Sequence, residues 1–151
     1  MLGVALMTTG LTGGMSRILA AERGAITRSD GEWRELLTPV QYAVLRQGET
    51  EEPYSSSLTG EKRRGIFSCA GCGSALFPSR TKYDSRTGWP SFWQPLEGAV
   101  RTTRDRTQGL IRTKIDCRRC GSHIGHVFGD GPPPTYLRYC VNGAGLAFKP
   151  V

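Results

Sequence analysis

The spacing of apolar residues changes near residue 65. Ahead of that point it follows a helical period. In "SDGEWRELL", Ser29 and Glu32 stand at capping-box spacing before Trp33, Leu36 and Leu37, which predicts a short helix opening at Ser29. In "TPVQYAVLRQG", Thr38 caps, Pro39 takes the first helical position and Gln41 completes a second box. Val40, Ala43 and Val44 then recur at helical spacing until Gly48 stops the run. The polar stretch from Glu49 to Gly65 has turn formers and no period, and reads as a surface connector. Beyond it, short apolar runs ("GIFSC", "SALF", "PSFW", "GLIRTKID", "HIGHVF", "YLRYCVN", "LAF") are divided by Gly, Pro, Asp and Ser, and "LIRTKID" alternates. This pattern predicts a mainly β fold with antiparallel strands behind short N-terminal helices.

Length and composition narrow the picture without changing it. With 151 residues, 20 glycines and 9 prolines, one turn-rich domain with one site is expected, and no apolar run reaches membrane-spanning length. Residues 1–28 read as a flexible tail or the remnant of an export signal, since the first 24 residues are small and apolar but lack a basic start, and residues 29–151 read as the domain. The net charge of +7 is concentrated between Arg101 and Arg119, a stretch read as a solvated basic face.

The candidate chemistry begins with two related words, "CAGCGSAL" at 69–76 and "CRRCGSHI" at 117–124. A C-x-x-C turn aims two thiolates at one point, and a following glycine lets the backbone turn tightly. Cys69, Cys72, Cys117 and Cys120 together supply the ligands of a closed tetrahedral zinc site. The 44 residues between the pairs exceed a compact ribbon, so the metal would clamp distant parts of the fold and leave no open position for catalysis. Two disulfides, or one redox dithiol, are the alternatives; no β-α-β pattern surrounds either pair.

Cys140 is the fifth cysteine and lies outside both pairs. In a strand "LRYCVN", Leu137, Tyr139 and Val141 face one side, and Arg138, Cys140 and Asn142 face the other. A cysteine on a polar face beside a guanidinium is a candidate thiolate nucleophile. His123 and His126, the chain's two histidines, follow the second knuckle and are free for acid–base work if the metal is already four-coordinate. A straight strand would send their rings to opposite faces, so a bulge or bend is expected at Gly125.

"RYCVN", "HIGHVFGDGP", "TGWPSFW" and the paired knuckles together resemble the B-type peptide-methionine-R-sulfoxide reductases, from about Trp33 to Pro150. The resemblance implies two antiparallel sheets clamped by a structural four-cysteine zinc site. It implies reduction of methionine-R-sulfoxide in oxidised proteins or peptides by Cys140, which becomes a sulfenic acid. His123, His126 and Asn142 would then polarise the sulfoxide oxygen, Trp89 would pack on the substrate methyl, and Arg138 and Asp130 would tune the thiolate and hold a histidine.

The chain departs from the family pattern at three positions. Thr87 replaces the resolving cysteine many members carry, Arg86 replaces a glycine, and Gly143 replaces a common serine. With no spare cysteine, recycling by external thioredoxin, glutaredoxin or a small thiol is expected. The expected protein is a cytoplasmic monomer with neither nucleic acid nor membrane as partner; a periplasmic or exported location is the alternative. The rival function is a basic zinc-knuckle module binding nucleic acid, which would explain the charge but leave Cys140 and both histidines without a role.

Overall fold

The computed structural model describes residues 26–151. The expected tail thus falls largely outside the described residues; at Ile26 the backbone N–H already donates to Arg119 O (2.8 Å). Helix α1 (Asp30–Leu36) is opened by the Ser29–Glu32 capping box and α2 (Pro39–Gln47) by the Thr38–Gln41 box, and Gly48 closes α2 at φ 73°. The face α2 buries is Tyr42, Val44 and Leu45, while Val40 points outward at 60 % exposure. The helical period is legible, but which stripe meets the core is decided by what α2 packs on: the strand His123–Phe128 and the Gly143–Gly145 turn.

Nine strands follow: β1 (Gly65–Cys69), β2 (Ala75–Pro78), β3 (Lys82–Tyr83), β4 (Ser91–Phe92), β5 (Val100–Asp105), β6 (Arg112–Cys117), β7 (His123–Phe128), β8 (Arg138–Val141) and β9 (Leu146–Pro150). They form two antiparallel sheets, ordered β2-β1-β9 and β3-β4-β8-β7-β6-β5. The mainly β, two-sheet architecture with small helices is therefore the observed one. Among the described residues, no helix is long and apolar enough to cross a membrane.

Aromatic packing joins the sheets. Phe67 of β1 and Phe77 of β2 meet Phe92 of β4, with ring centroids 5.1 and 4.4 Å apart, and all three are fully buried. Phe92 pairs with Tyr139 and Tyr139 with Val127, so this row faces the small sheet. Alternation then sends the adjacent row, Ser91, Cys140, His126 and Lys114, to the other face of the large sheet. Register alone thus separates core from site.

Candidate active site

The two knuckles are built alike. Gly73 N–H donates to Cys69 O and Gly121 N–H to Cys117 O, both at 2.8 Å, with the glycines at φ 76° and 73°. Cys69 ends β1 and Cys117 ends β6, so the knuckles bring together the ends of two inner strands, one from each sheet. The four sulfurs lie within 4.8 Å of one another, and the Cys69–Cys120 and Cys72–Cys117 separations are both 3.7 Å. A tetrahedron with metal–sulfur bonds of ~2.3 Å has edges of ~3.8 Å, so the cluster has the size and donor set of a closed thiolate site that could hold one metal ion. Without a cation, hydrogen bonding to Cys117 and Cys120 and burial push the Cys69 thiol far up; a divalent ion is what would let all four ionise. Arg46 braces this corner, lying 4.5 Å over the buried Trp33 ring and donating to Cys120 O and Ser122 Oγ (3.3 and 3.2 Å).

The second centre lies on the outer face of the large sheet. Cys140 is half-buried in a cavity of about 260 Å³ whose walls include Thr87, Trp89, His126, Arg138 and Asn142. Arg138, Cys140 and Asn142 share that wall, while Val141 is fully buried behind them, as the alternation of "LRYCVN" predicts. Cys140 is cross-strand partner to both Ser91 and His126.

The expected irregularity in β7 is present one residue early. Ile115 pairs with Gly125 but Asp116 pairs with His123, leaving Ile124 as the extra residue. The bulge brings both histidines to one side, with ring centroids 5.2 Å apart. His126 reaches the cavity and His123 stands behind it, with both ring nitrogens buried and unpartnered and Nδ1 3.6 Å from Asp116.

The carboxylates are distributed differently from expectation. Asp130 holds no histidine; it accepts two hydrogen bonds from Arg138 (2.9 and 3.1 Å). His126 Nε2 instead meets Asp105 Oδ2 at 2.8 Å, and Arg112 Nη2 lies 3.5 Å from the same oxygen. The His126 bond and the Thr107 backbone hold the Asp105 carboxyl well below the usual carboxylate range. Burial pulls the His126 imidazole down, with Asp105 partly opposing. Asp105 is therefore ionised and accepts, which fixes the proton of neutral His126 on Nε2 and leaves Nδ1 as its acceptor.

The balance at Cys140 also differs from expectation. Burial pushes its thiol up, and the Arg138 charge only partly offsets this. Arg138 is already neutralised by Asp130, so the resting group is a thiol that needs a base.

Asn142 and Trp89 are both held by the connector after α2. Asn142 Oδ1 accepts from Glu51 N–H (3.1 Å), its Nδ2 donates to Ile124 O (3.2 Å), and Trp89 Nε1 donates to Glu51 O (3.0 Å). The Glu51 carboxylate accepts from Ala144 N–H and Ser55 Oγ (3.1 and 2.9 Å). Gly143 suits this strap, because a Cβ there would lie 2.0 Å from Ser56 Oγ. The segment that reads as a surface connector is thus a wall of the site. No local signal marked Glu51 as its pivot; Asp105 had one, as an acid inside a basic run.

The SelR domain family matches residues 37–150 of the chain. The peptide methionine sulfoxide reductase MsrB of Agrobacterium fabrum is 50% identical over 127 residues, covering 83% of this chain and 94% of the relative. The MsrB proteins of Leptospira interrogans and Methanosarcina barkeri are each 49% identical, over 125 and 126 residues, covering 82% and 83% of this chain and 95% and 89% of the relatives.

Proposed function

Since the chain belongs to the SelR-domain family of type B peptide methionine sulfoxide reductases, we propose that Cys140 reduces methionine-R-sulfoxide in oxidised proteins or peptides. The observation carrying this reading is the cross-strand pairing of Cys140 with His126, whose far nitrogen is held by Asp105. His126 Nδ1 takes the Cys140 proton, and the imidazolium then donates it to the sulfoxide oxygen as the thiolate attacks sulfur. Oxygen ends on Cys140 as a sulfenic acid, methionine leaves, and the cysteine sulfur supplies the two electrons that the substrate sulfur gains. Nothing else is consumed.

The remaining groups shape this reaction. Asp105 stabilises the imidazolium, and His123 packs behind its ring. The Trp89 indole, anchored through Glu51, offers an apolar wall to the substrate methyl opposite the polar donors, which would sort the two epimers. Asn142 holds the strap and keeps one Nδ2 hydrogen for the oxygen. The Arg138–Asp130 pair forms the outer rim. Zinc is the metal we assign to the four thiolates; it would be structural, since a site closed by four sulfurs leaves no position for substrate.

Recycling follows from the cysteine count. Four of the five cysteines lie in the cluster, and Thr87 lines the cavity where many relatives carry a resolving cysteine. An external thiol therefore attacks the sulfenic acid, releasing water and leaving a mixed disulfide. A second thiol then restores Cys140. Thioredoxin, glutaredoxin or a small thiol serves as the donor, and we place the reaction in the cytoplasm.

The direct test is turnover of separated epimers of blocked methionine sulfoxide with dithiothreitol. The R epimer should be consumed and the S epimer left. Equal use of both, or of neither by folded protein, would refute the assignment.

The pH dependence of kcat/KM should be a broad plateau. Its acid limb reports protonation of His126, which blocks proton uptake from Cys140 and lies below the ordinary imidazole value because of burial. Its alkaline limb reports loss of the Cys140 proton and lies above the ordinary thiol value. Asp105→Asn removes the interaction that raises the His126 pKa, so the acid limb should move further down. Loss of a charge-assisted hydrogen bond of about 1.5–3 kcal/mol should lower plateau kcat/KM roughly 10- to 100-fold. An unmoved acid limb would show that Asp105 only supports the fold.

A further inference from the structure

A second cavity, a groove of about 660 Å³, follows β3 at the edge of the large sheet, and Tyr54, Lys62, Lys82, Tyr83 and Asp84 line it. Strand register sets the distance between the two. Tyr83 pairs with Ser91 and Ser91 with Cys140, so the three side chains stand in one row on one face. Two strand steps of ~4.8 Å put the Tyr83 backbone about 10 Å from that of Cys140. Residues 84–88 form the ridge between them, since Asp84 lines the groove while Thr87 lines the cavity.

Arg86 stands on this ridge with φ 59°, the left-handed region that glycine enters freely and other residues rarely adopt. Glycine would preserve every contact the structure gives it. Arg86 N–H donates to Asp84 Oδ1 (2.9 Å) and Arg86 O accepts from Tyr54 Oη (3.3 Å), and both are backbone groups. The Arg86 side chain is exposed and makes no hydrogen bond or ion pair among the described residues. Arg112 and Arg138, the cations inside the cavity, are matched by Asp105 and Asp130. A strained position thus carries a charge that the fold does not use.

The groove shares that sign. Its cations Lys62, Arg63 and Lys82 face only Glu61 and Asp84, Glu61 is occupied by Arg63, and Arg86 stands outside the groove, two residues beyond Asp84 and one before Thr87. Resting on the reductase reading above, we propose that the polypeptide flanking the oxidised methionine runs from the cavity over this ridge towards the groove, and that Arg86 selects an acidic residue where the chain crosses the ridge. The spacing fits, because a residue two positions along an extended chain shares the methionine's face and lies ~6.6 Å from it, short of the ~10 Å between cavity and groove, where the ridge stands. Arg86 is then a specificity-determining residue, and its backbone strain is the cost of presenting a cation between cavity and groove.

The test compares peptides that carry methionine-R-sulfoxide and differ only in Glu or Gln two residues to either side. Wild type should favour the Glu peptide by about three- to fivefold in kcat/KM at low salt, the range of an exposed ion pair. High salt should erase the preference. Arg86→Gln and Arg86→Gly should each bring the ratio to about one, and Arg86→Gly should also melt higher because it relieves the left-handed backbone. A wild type indifferent to Glu, or a preference that survives in both variants, would overturn the proposal. Blocked methionine-R-sulfoxide separates the two levels: if wild type fails to turn it over, the reductase reading fails, whereas turnover with equal use of both peptides removes only the subsite.

Discussion

Replacing Cys140 by serine should lower turnover of methionine-R-sulfoxide by at least about a thousandfold, the scale on which removal of an essential nucleophile is felt. Two independent barriers support this. A serine hydroxyl is far too weak an acid for His126 to deprotonate, so no comparable nucleophile forms. The hydroxyl oxygen also cannot accept the sulfoxide oxygen as sulfur does on going to a sulfenic acid, so the substrate's two electrons have no source. The substitution should leave metal content and melting behaviour close to wild type, because Cys140 is not a member of the thiolate cluster and lines a cavity that no cluster cysteine enters. Reaction with excess substrate and no reductant sharpens the measurement. Wild type should release about one methionine per chain and accumulate a sulfenic acid that a carbon nucleophile can trap, and the variant should do neither. A variant retaining a tenth of wild-type turnover would place the nucleophile elsewhere, and an internal disulfide at Cys140 in oxidised wild type would refute recycling by an external thiol.

Why the polar-face position of Cys140 is legible in the sequence, while the partner of His126 is not, follows from the range of the forces involved. The capping boxes at Ser29 and Thr38 and the glycines after each knuckle are local devices, satisfied within a few residues, and they stand where the residue pattern put them. The polar face of "LRYCVN" is also local, since strand alternation needs no knowledge of neighbours. The partner of His126 is a different kind of fact. Asp105 is 21 residues away and reaches the imidazole across β6, a relation that depends on sheet order and on the bulge at Ile124. The partner of Asp130 is a relation of the same kind: Asp130 lies in the turn after β7, and β8 brings Arg138, rather than a histidine, to it. Burial, which pushes the Cys140 thiol up, is likewise a property of the assembled cavity and not of the strand pattern. A neighbouring arginine reads as a thiolate stabiliser until its own carboxylate partner is known. Glu51 was invisible because its backbone, rather than a distinctive side chain, clips Asn142 and Trp89.

Cys117→Ser should have the opposite signature, with metal lost first and activity lost as a consequence. Three remaining thiolates cannot close the tetrahedron, so bound metal should fall from about one per chain to near zero. A site occupied at about a thousand times its dissociation constant contributes ~4 kcal/mol to the folded state. For a domain of this size that corresponds to a fall in Tm of about 10–20 °C. The domain need not unfold outright, since the aromatic contacts of Phe67, Phe77 and Phe92 join the sheets independently of the cluster. The damage should instead spread along β7. Cys120 and Ser122 hold the start of that strand through Arg46, and His123 and His126 follow immediately, so a loosened knuckle displaces the base before it disturbs Cys140. Metal analysis and calorimetry on Cys117→Ser beside Cys140→Ser would separate the two centres. If Cys117→Ser kept a full complement of metal, or melted with wild type, the four thiolates would not be a structural clamp, and the geometry of His126 would have to be maintained by the sheet alone.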